Sequence, residues 1–278
     1  MFWTNYHQHC HFCDGVGTPE EVVEAALAQG VASLGFSSHA TIPLDVPWCI
    51  KPEKFDEYIA TIRQLREKYV EVLPIFVGME IDYIRDIVHP CEARFEQLDY
   101  RIGSIHYLRP HNNAPLFEVD GTEKAYREGL ALLFDNDIRR AVECYYATTR
   151  EMLHIAAPDI VGHLDKIKMN NDPQTGFKEN ETWYREAVYE TLETIAKSKV
   201  MVEVNTRGVY KKKTSEPYPS YWILERIQEL KIPIMLNSDA HHPREVTGEF
   251  EPTLNRLQQM GFRSLQIRTN EGWTERSI

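Results

Sequence analysis

The sequence predicts an α/β fold in which parallel strands, joined by crossover helices, close into a barrel. Short runs rich in β-forming residues alternate with longer amphipathic runs, the pattern of repeated strand–helix units. No Ser-, Gly- or Pro-rich linker interrupts this alternation in 278 residues, a length common for one-domain barrels. We therefore expect a single domain over residues 1–278, with seven or eight units. An open doubly wound sheet is the alternative.

The strands are predicted from short apolar or β-branched runs bounded by turn residues. The first helix is indicated by Thr18, Pro19 and Glu21, which form a capping-box pattern with proline in the first turn, and by Gly30, which ends the apolar run. The predicted strands are 3–7, 32–37, 71–77, 100–105, 160–162, 200–204, 232–236 and 264–267. Further helices are predicted over 55–69, 138–157, 182–198, 221–230 and 252–260, and a polar loop near the barrel mouth over 166–180.

The composition of the chain limits which binding partners and which cellular location we expect. The formal net charge of −11 disfavours nucleic acid as a partner, because binding it requires clustered Lys and Arg. No run reaches the roughly 18 apolar residues of a membrane span, and the first residues lack a signal-peptide pattern. The five cysteines form no regular framework, which indicates reduced thiols. We expect a cytoplasmic protein with no membrane partner, and the sequence gives no indication of its oligomeric state.

Nine side chains that can bind metal follow the predicted strands at the same end. His7 and His9 form H-x-H after the first strand, and alternation along a strand brings both to one face. Any one of the nine could be an ordinary polar residue or a turn cap. Together they are too many for one ion, and the carboxyl ends of barrel strands converge on one mouth. The sequence thus predicts a bi- or trinuclear Zn, Mn or Fe site. The nine are His7, His9, Asp14, His39, Glu80, His106, His163, Asp239 and His241.

The order of these residues resembles that of the PHP (polymerase and histidinol phosphatase) family over nearly the whole chain. Ser38 and Cys13 stand where many members have aspartate and serine, but neither is a ligand position. Ser38 also favours the histidinol-phosphate phosphatase branch. Several strings resemble that branch: GFSSHA at 35–40, IGSIHYL at 102–108, GHLDKIK at 162–168, EVNTRGVYKK at 203–212 and NSDAHHP at 237–243.

This resemblance implies a distorted (β/α)7 TIM-like barrel that holds three divalent metal ions, with Glu80 as a bridging ligand. The first ion would be held by His7, His9, Glu80 and Asp239, the second by Glu80, His106 and His163, and the third by Asp14, His39 and His241.

The resemblance further implies hydrolysis of L-histidinol phosphate to L-histidinol and phosphate, a step of histidine biosynthesis. We expect a metal-bridging hydroxide to attack phosphorus. Asp239 and His242 are the candidates for the general acid, and His242 is also a candidate substrate contact. Arg207, after the sixth strand, is well placed to clamp phosphate, with a surface salt bridge as the alternative, and Lys166 is a weaker candidate phosphate contact.

The amine and imidazole of such a substrate need acidic or polar partners. Glu118, Asp120 and Asp45 fall in loops that could reach the mouth, and the sequence does not choose among them.

Three other functions remain open from the sequence. Another phosphoesterase of the same family could act on nucleotides, oligonucleotides or phosphotyrosine. An amidohydrolase-like metal hydrolase would share H-x-H and a late aspartate, but it would not need Asp14, Glu80 and the Asp239-x-His241 pair together. A non-enzymatic metal-binding module would close its coordination sphere, whereas ligands at an open mouth leave positions for substrate.

Overall fold

The computed structural model describes residues 3–172, 174 and 176–278. In chain order its strands are β1 (Trp3–Asn5), β2 (Val31–Phe36), β3 (Ile75–Asp82), β4 (Tyr100–Ser104), β5 (Tyr107–Leu108), β6 (Phe117–Glu118), β7 (Ile160–Val161), β8 (Met201–Asn205), β9 (Ile234–Asn237), β10 (Ser264–Thr269) and β11 (Gly272–Ser277). Its α-helices are α1 (Pro19–Ala28), α2 (Phe55–Lys68), α3 (Glu123–Phe134), α4 (Ile138–Ile155), α5 (Thr182–Ser198), α6 (Arg207–Tyr210), α7 (Tyr221–Glu229) and α8 (Phe250–Gln259). Short 3-10 helices cover Pro52–Lys54, Ala93–Phe95, Lys166–Asn170 and Pro243–Glu245.

Seven strands form one parallel sheet in the order β1-β2-β3-β4-β7-β8-β9. The two edges meet just beyond β1 and β9, where Gln8 forms a parallel bridge with Ala240 and the His9 backbone N–H donates to the Ala240 carbonyl at 2.9 Å. The single α/β domain is therefore a nearly closed seven-stranded barrel. This confirms the predicted (β/α)7 fold and excludes the open doubly wound sheet.

Four parts of the chain differ from the sequence prediction. The eighth predicted strand lies in β10, but it pairs antiparallel with β11 rather than joining the barrel. The third strand begins at Ile75 and runs through Glu80 to Asp82, so Glu80 lies within the strand and not after it. Helix α3 was not predicted. The predicted loop 166–180 begins with a 3-10 helix, and Pro173 and Thr175 of that loop lie outside the described residues.

Helix α1 begins as its capping box predicts. The Thr18 hydroxyl accepts a hydrogen bond from the Glu21 backbone N–H at 3.2 Å, and the Glu21 carboxylate accepts one from the Thr18 backbone N–H at 2.6 Å. Two N–H groups near the helix start thereby gain partners. The reciprocal pair fixes the end of the segment that leads from β1 across the mouth, and this segment carries Asp14.

The barrel interior near the strand starts is filled by large side chains, and a hairpin closes that end. Trp273 of β11 packs edge-on against Tyr6 and Tyr100, with ring centroids 5.2 and 5.9 Å apart. Gly35 and Gly78 leave room for the Tyr100 ring, because a Cβ at either position would come within 2.3 Å of it. The interior cluster comprises Tyr6, Phe76, Tyr100, Ile102, Ile160, Met201 and Met235.

The helices pack their apolar faces on the outside of the barrel and complete the core. Among the described residues, no helix is long and apolar enough to cross a membrane.

Candidate metal centre and cavity

The structure brings all nine predicted ligands together at the mouth where the barrel strands end. His7 and His9 follow β1, His39 follows β2, and Glu80 lies near the end of β3. Asp14 reaches the mouth from the loop before α1. The remaining four follow β4, β7 and β9, and they are His106, His163, Asp239 and His241.

The carboxylate of Glu80 lies at the centre of this group, and its Oε2 atom is close to three histidines. It lies 3.1 Å from His7 Nε2, 3.5 Å from His9 Nε2 and 3.0 Å from His39 Nδ1. Glu80 is almost fully buried, as are these rings. One carboxylate oxygen thus faces ligand atoms from two different strands of the barrel.

The other oxygen, Glu80 Oε1, faces a separate pair of histidines. It lies 3.4 Å from His106 Nε2 and 2.9 Å from His163 Nε2, and these two ring nitrogens are 3.1 Å apart. The Ser104 hydroxyl donates to the same oxygen at 2.6 Å. A carboxylate that offers each oxygen to a different set of nitrogens has the geometry of a bridging ligand.

Asp14 and Asp239 complete the other side of the centre. Asp14 Oδ1 lies 3.3 Å from His241 Nε2 and 3.8 Å from His39 Nε2. Asp239 Oδ1 lies 3.3 Å from His9 Nε2 and 3.4 Å from His241 Nδ1. Asp239 also has a positive φ of 52°, an uncommon conformation for a non-glycine residue, and such strain is concentrated at functional sites.

These residues fit a multinuclear metal site. The buried nitrogens His7 Nε2, His9 Nε2 and His39 Nδ1 have no hydrogen-bond partner within the part of the chain that the structure describes. Buried polar atoms are rarely left without partners, so unpaired nitrogens facing carboxylates indicate metal ligands. Three sets of ligand atoms each lie within 4.8 Å of one another: His9, Asp14, His39 and His241; His7, His9 and Asp239; and His39, Glu80 and His106.

Two carboxylates that sequence reasoning missed orient the histidines from behind. Asp82 Oδ1 lies 2.9 Å from His106 Nδ1, and Glu203 Oε2 lies 2.8 Å from His7 Nδ1. Such contacts fix the ring and raise its basicity as a ligand. Both left a signal in the sequence: Asp82 lies two residues beyond Glu80 on the same face of β3, and Glu203 is a charged residue inside the apolar run of β8.

The charges at the centre stabilise one another. Burial alone would raise the pKa of Glu80, but His7, His39 and His106 outweigh it and hold that pKa well below its usual value. Burial disfavours protonated His106, yet the charges of Asp82, Asp120 and Glu80 raise its pKa to about 10. The carboxylates therefore stay ionised, and they are available as ligands.

A cavity of about 200 Å³ opens directly above the centre. It contains two cationic side chains, one from the first residue of α6 and one from the 3-10 helix Lys166–Asn170. The Arg207 guanidinium donates from Nη1 to the Asp239 carbonyl oxygen at 2.8 Å, and Lys166 Nζ lies 3.4 Å from Asp120 Oδ2. The lining residues are Asp14, His39, Trp48, Glu80, His106, Glu118, Asp120, His163, Lys166, Arg207, Asp239 and His241.

Some predicted residues lie elsewhere. His242 does not line the cavity, and its Nδ1 accepts a hydrogen bond from the Arg244 backbone N–H at 3.3 Å where a short 3-10 helix begins. Asp45 is exposed and also lies outside the cavity lining, whereas Glu118 and Asp120 belong to it. Trp48 lines the cavity as well, and sequence reasoning missed it because nothing in its loop marks it as a site residue.

Comparison with known proteins matches these observations. A family model described as "PHP domain" matches residues 5–207. A Deinococcus radiodurans protein named probable histidinol-phosphatase is 29% identical over 273 residues, which cover 94% of this chain and 95% of the relative. The histidinol-phosphatase of Bacillus subtilis is 26% identical over 268 residues, which cover 90% and 97%.

Two solved structures share the fold. One, from Listeria monocytogenes, matches with a TM-score of 0.77 at 20% identity, over 90% of this chain and 99% of the other. The other, histidinol phosphate phosphatase from Lactococcus lactis, matches with a TM-score of 0.71 at 19% identity, over 98% of both chains. The Lactococcus protein was crystallised with zinc, L-histidinol and phosphate.

Proposed function

The chain belongs to the PHP domain family, and from this premise we propose that it is a histidinol-phosphatase. It hydrolyses L-histidinol phosphate to L-histidinol and inorganic phosphate, a step of histidine biosynthesis. The observation that carries the proposal is the cluster of nine nitrogen and oxygen ligands beneath a cavity that also holds Lys166 and Arg207. Relatives named for this activity align over more than nine-tenths of the chain, which supports the choice of substrate.

The cofactors in this proposal are three divalent ions, Zn, Mn or Fe, held by the nine residues in the three sets that the family resemblance implies. The two-sided contacts of Glu80 support a bridging role for it. When bound, the ions supply Lewis acidity, which lowers the pKa of water and neutralises phosphoryl oxygens. The Lactococcus structure with zinc supports metal dependence.

Arg207 and Lys166 bind the phosphate in this proposal. Burial opposes the charge on both, but Asp239 raises the pKa of Arg207, and Asp120 with Asp239 raises the pKa of Lys166. Both side chains therefore remain cationic inside the cavity. One guanidinium nitrogen of Arg207 is held by the Asp239 carbonyl, which fixes the plane and leaves other donors for phosphoryl oxygens.

The leaving alkoxide needs a proton, and Asp239 is the favoured candidate to deliver it. Asp239 lines the cavity, and His242 does not. Burial raises the pKa of Asp239, but His7 and Arg207 outweigh burial and hold it well below its usual value, so the carboxylate is ionised at rest. It must therefore accept the proton of the attacking water before it passes that proton to the leaving oxygen.

The test is phosphate release from L-histidinol phosphate by metal-reconstituted protein, with AMP, phosphotyrosine and short oligonucleotides measured beside it. We expect kcat/KM for L-histidinol phosphate to exceed the others by about 10³-fold, or about 4 kcal/mol of transition-state discrimination. The variant His106→Asn should lose this activity. The matched control is His154→Asn, since His154 is an exposed histidine of α4.

Two results would contradict the proposal in different ways. Comparable turnover of another phosphate ester would retain a phosphoesterase and reject histidinol phosphate as the preferred substrate. No phosphatase activity with metal bound would favour an amidohydrolase-like reaction.

The proposal also includes a cytoplasmic location and one domain that spans residues 1–278.

A further inference from the structure

One carboxylate in the cavity wall, that of Glu118, has no hydrogen-bond or ion-pair partner in the part of the chain that the structure describes. Glu118 lies in β6 and lines the cavity half-buried. Across residues 3–172, 174 and 176–278, its side chain makes no hydrogen bond or ion pair. Asp120, two residues further on, differs because Lys166 Nζ lies 3.4 Å away. Burial and the charge of Asp120 raise the pKa of Glu118 and outweigh the opposing effect of His106, which makes no hydrogen bond to it. A partly buried carboxylate without a partner is unfavourable unless a cation arrives to pair with it.

An aromatic surface adjoins this carboxylate. Tyr107 of β5 is directly opposite Glu118 in the antiparallel β5–β6 pair. The Trp48 ring stacks on Tyr107 with centroids 6.0 Å apart and planes inclined by 22°. Trp48 also packs edge-on against His39 at 4.7 Å, so the ring stands beside the metal centre. We name Trp48, Tyr107 and Glu118 the aromatic–acidic wall.

The cavity thus has two chemically different parts. Lys166 and Arg207 provide positive charge suited to a phosphate, and the aromatic–acidic wall provides a negative charge beside an indole. Flat rings stack on indole faces, and cations are attracted to them. The wall therefore suits a leaving alcohol that carries both a cation and a flat ring.

We propose that the aromatic–acidic wall selects phosphate esters of cationic, ring-bearing amino alcohols, with Glu118 pairing with the ammonium group and Trp48 contacting the ring. The inference rests on the proposed function and deepens it, because it assigns residues to the part of the substrate that is not phosphate. It also decides among the three acidic candidates from the sequence: Asp45 lies away from the cavity, and Asp120 is already paired with Lys166.

The experiment compares three esters on metal-loaded protein: L-histidinol phosphate, with charge and ring; phosphoethanolamine, with charge only; and phenyl phosphate, with ring only. For Glu118→Gln we expect kcat/KM for the two charged esters, relative to phenyl phosphate, to fall about tenfold, mostly through KM. For Trp48→Leu the ratio of L-histidinol phosphate to phosphoethanolamine should fall several-fold. Asp45→Asn is the matched control and should change no ratio.

Binding of L-histidinol itself, measured by calorimetry, provides a readout that does not depend on turnover. Glu118→Gln should weaken it about tenfold, a difference of about 1.4 kcal/mol. Equal loss on all three esters, or unchanged L-histidinol affinity in Glu118→Gln, would overturn this inference while leaving the proposed function intact. A wild-type protein inactive on L-histidinol phosphate would instead contradict the proposed function.

Discussion

At the end of the barrel where the strands begin, the hydroxyls of Tyr6 and Tyr100 have close partners; at the end where the strands stop, several buried ring nitrogens have none among the described residues. The Tyr100 hydroxyl donates to the Tyr6 carbonyl at 2.6 Å, and the Tyr6 hydroxyl donates to Ser33 Oγ at 3.0 Å and accepts from the Arg268 N–H at 2.8 Å. At the mouth, His7 Nε2 and His9 Nε2 face carboxylates without a hydrogen bond.

This difference separates the residues that stabilise the barrel from the residues that form the candidate site at its mouth. The closed end is packed with aromatic rings and sealed by the β10–β11 hairpin, and the hydroxyls of Tyr6 and Tyr100 find their partners within the chain. Several ring nitrogens at the mouth have no partner among the described residues, which fits the proposal that bound metal ions pair with them. Changes at the mouth should therefore alter activity with little effect on stability, and changes at the closed end should do the reverse.

The largest expected effect follows from Glu80→Gln. It replaces the carboxylate that faces five histidines, so kcat/KM for phosphate release should fall about 10³-fold, or about 4 kcal/mol. Bound metal, measured by atomic absorption, should fall as well. The thermal midpoint of the metal-free protein should drop by no more than about 4 °C, equivalent to roughly 1 kcal/mol in a chain of this size.

Unfolding of the metal-free Glu80→Gln protein at a much lower temperature would break the comparison, because Glu80 would then be a structural residue. If the variant retained its metal and turned over substrate at a near-normal rate, Glu80 would not be a metal ligand.

The sequence was sufficient to find the mouth because strand periodicity and strand order determine which residues converge there. Once β1 and β9 are parallel strands of one barrel, His9 and Asp239 must lie near each other although 230 positions separate them in the chain. It was insufficient for Trp48 and His242, because loop conformation decides whether a side chain turns into the cavity, and residue pattern carries no signal for that.

The fold was predicted less completely outside the barrel strands, at β10 and α3. The run 264–267 has strand character, but β character alone does not specify a partner, and the turn at Thr269–Gly272 pairs it with β11 instead of β9. Helix α3 was missed because only Tyr126 and Phe134 are fully buried in it, and Gly129 interrupts its pattern.

The comparison can be sharpened with Asp82→Asn, which leaves all nine proposed ligands in place. The variant removes the negative charge that lies 2.9 Å from His106 Nδ1, so the ring becomes a weaker ligand. We expect metal affinity or activity to fall by about 10–100-fold, less than for Glu80→Gln. Titration of metal-free protein with Zn²⁺ measures the affinity, and the exposed Asp45→Asn serves as control. An unchanged Zn²⁺ affinity would show that Asp82 does not contribute to metal binding through His106.

The smallest effect is expected at the closed end, where Tyr100→Phe removes the hydroxyl that serves the Tyr6 carbonyl. The unfolding free energy should fall by about 1–2 kcal/mol, because a buried carbonyl loses its donor, while kcat/KM stays within about twofold. Tyr126→Phe is the matched control. Its buried hydroxyl has no hydrogen-bond partner among the described residues, so removing it should leave stability unchanged or raised. If Tyr100→Phe reduced activity as much as stability, packing at the closed end would also set the geometry of the mouth, and the two ends would not be independent.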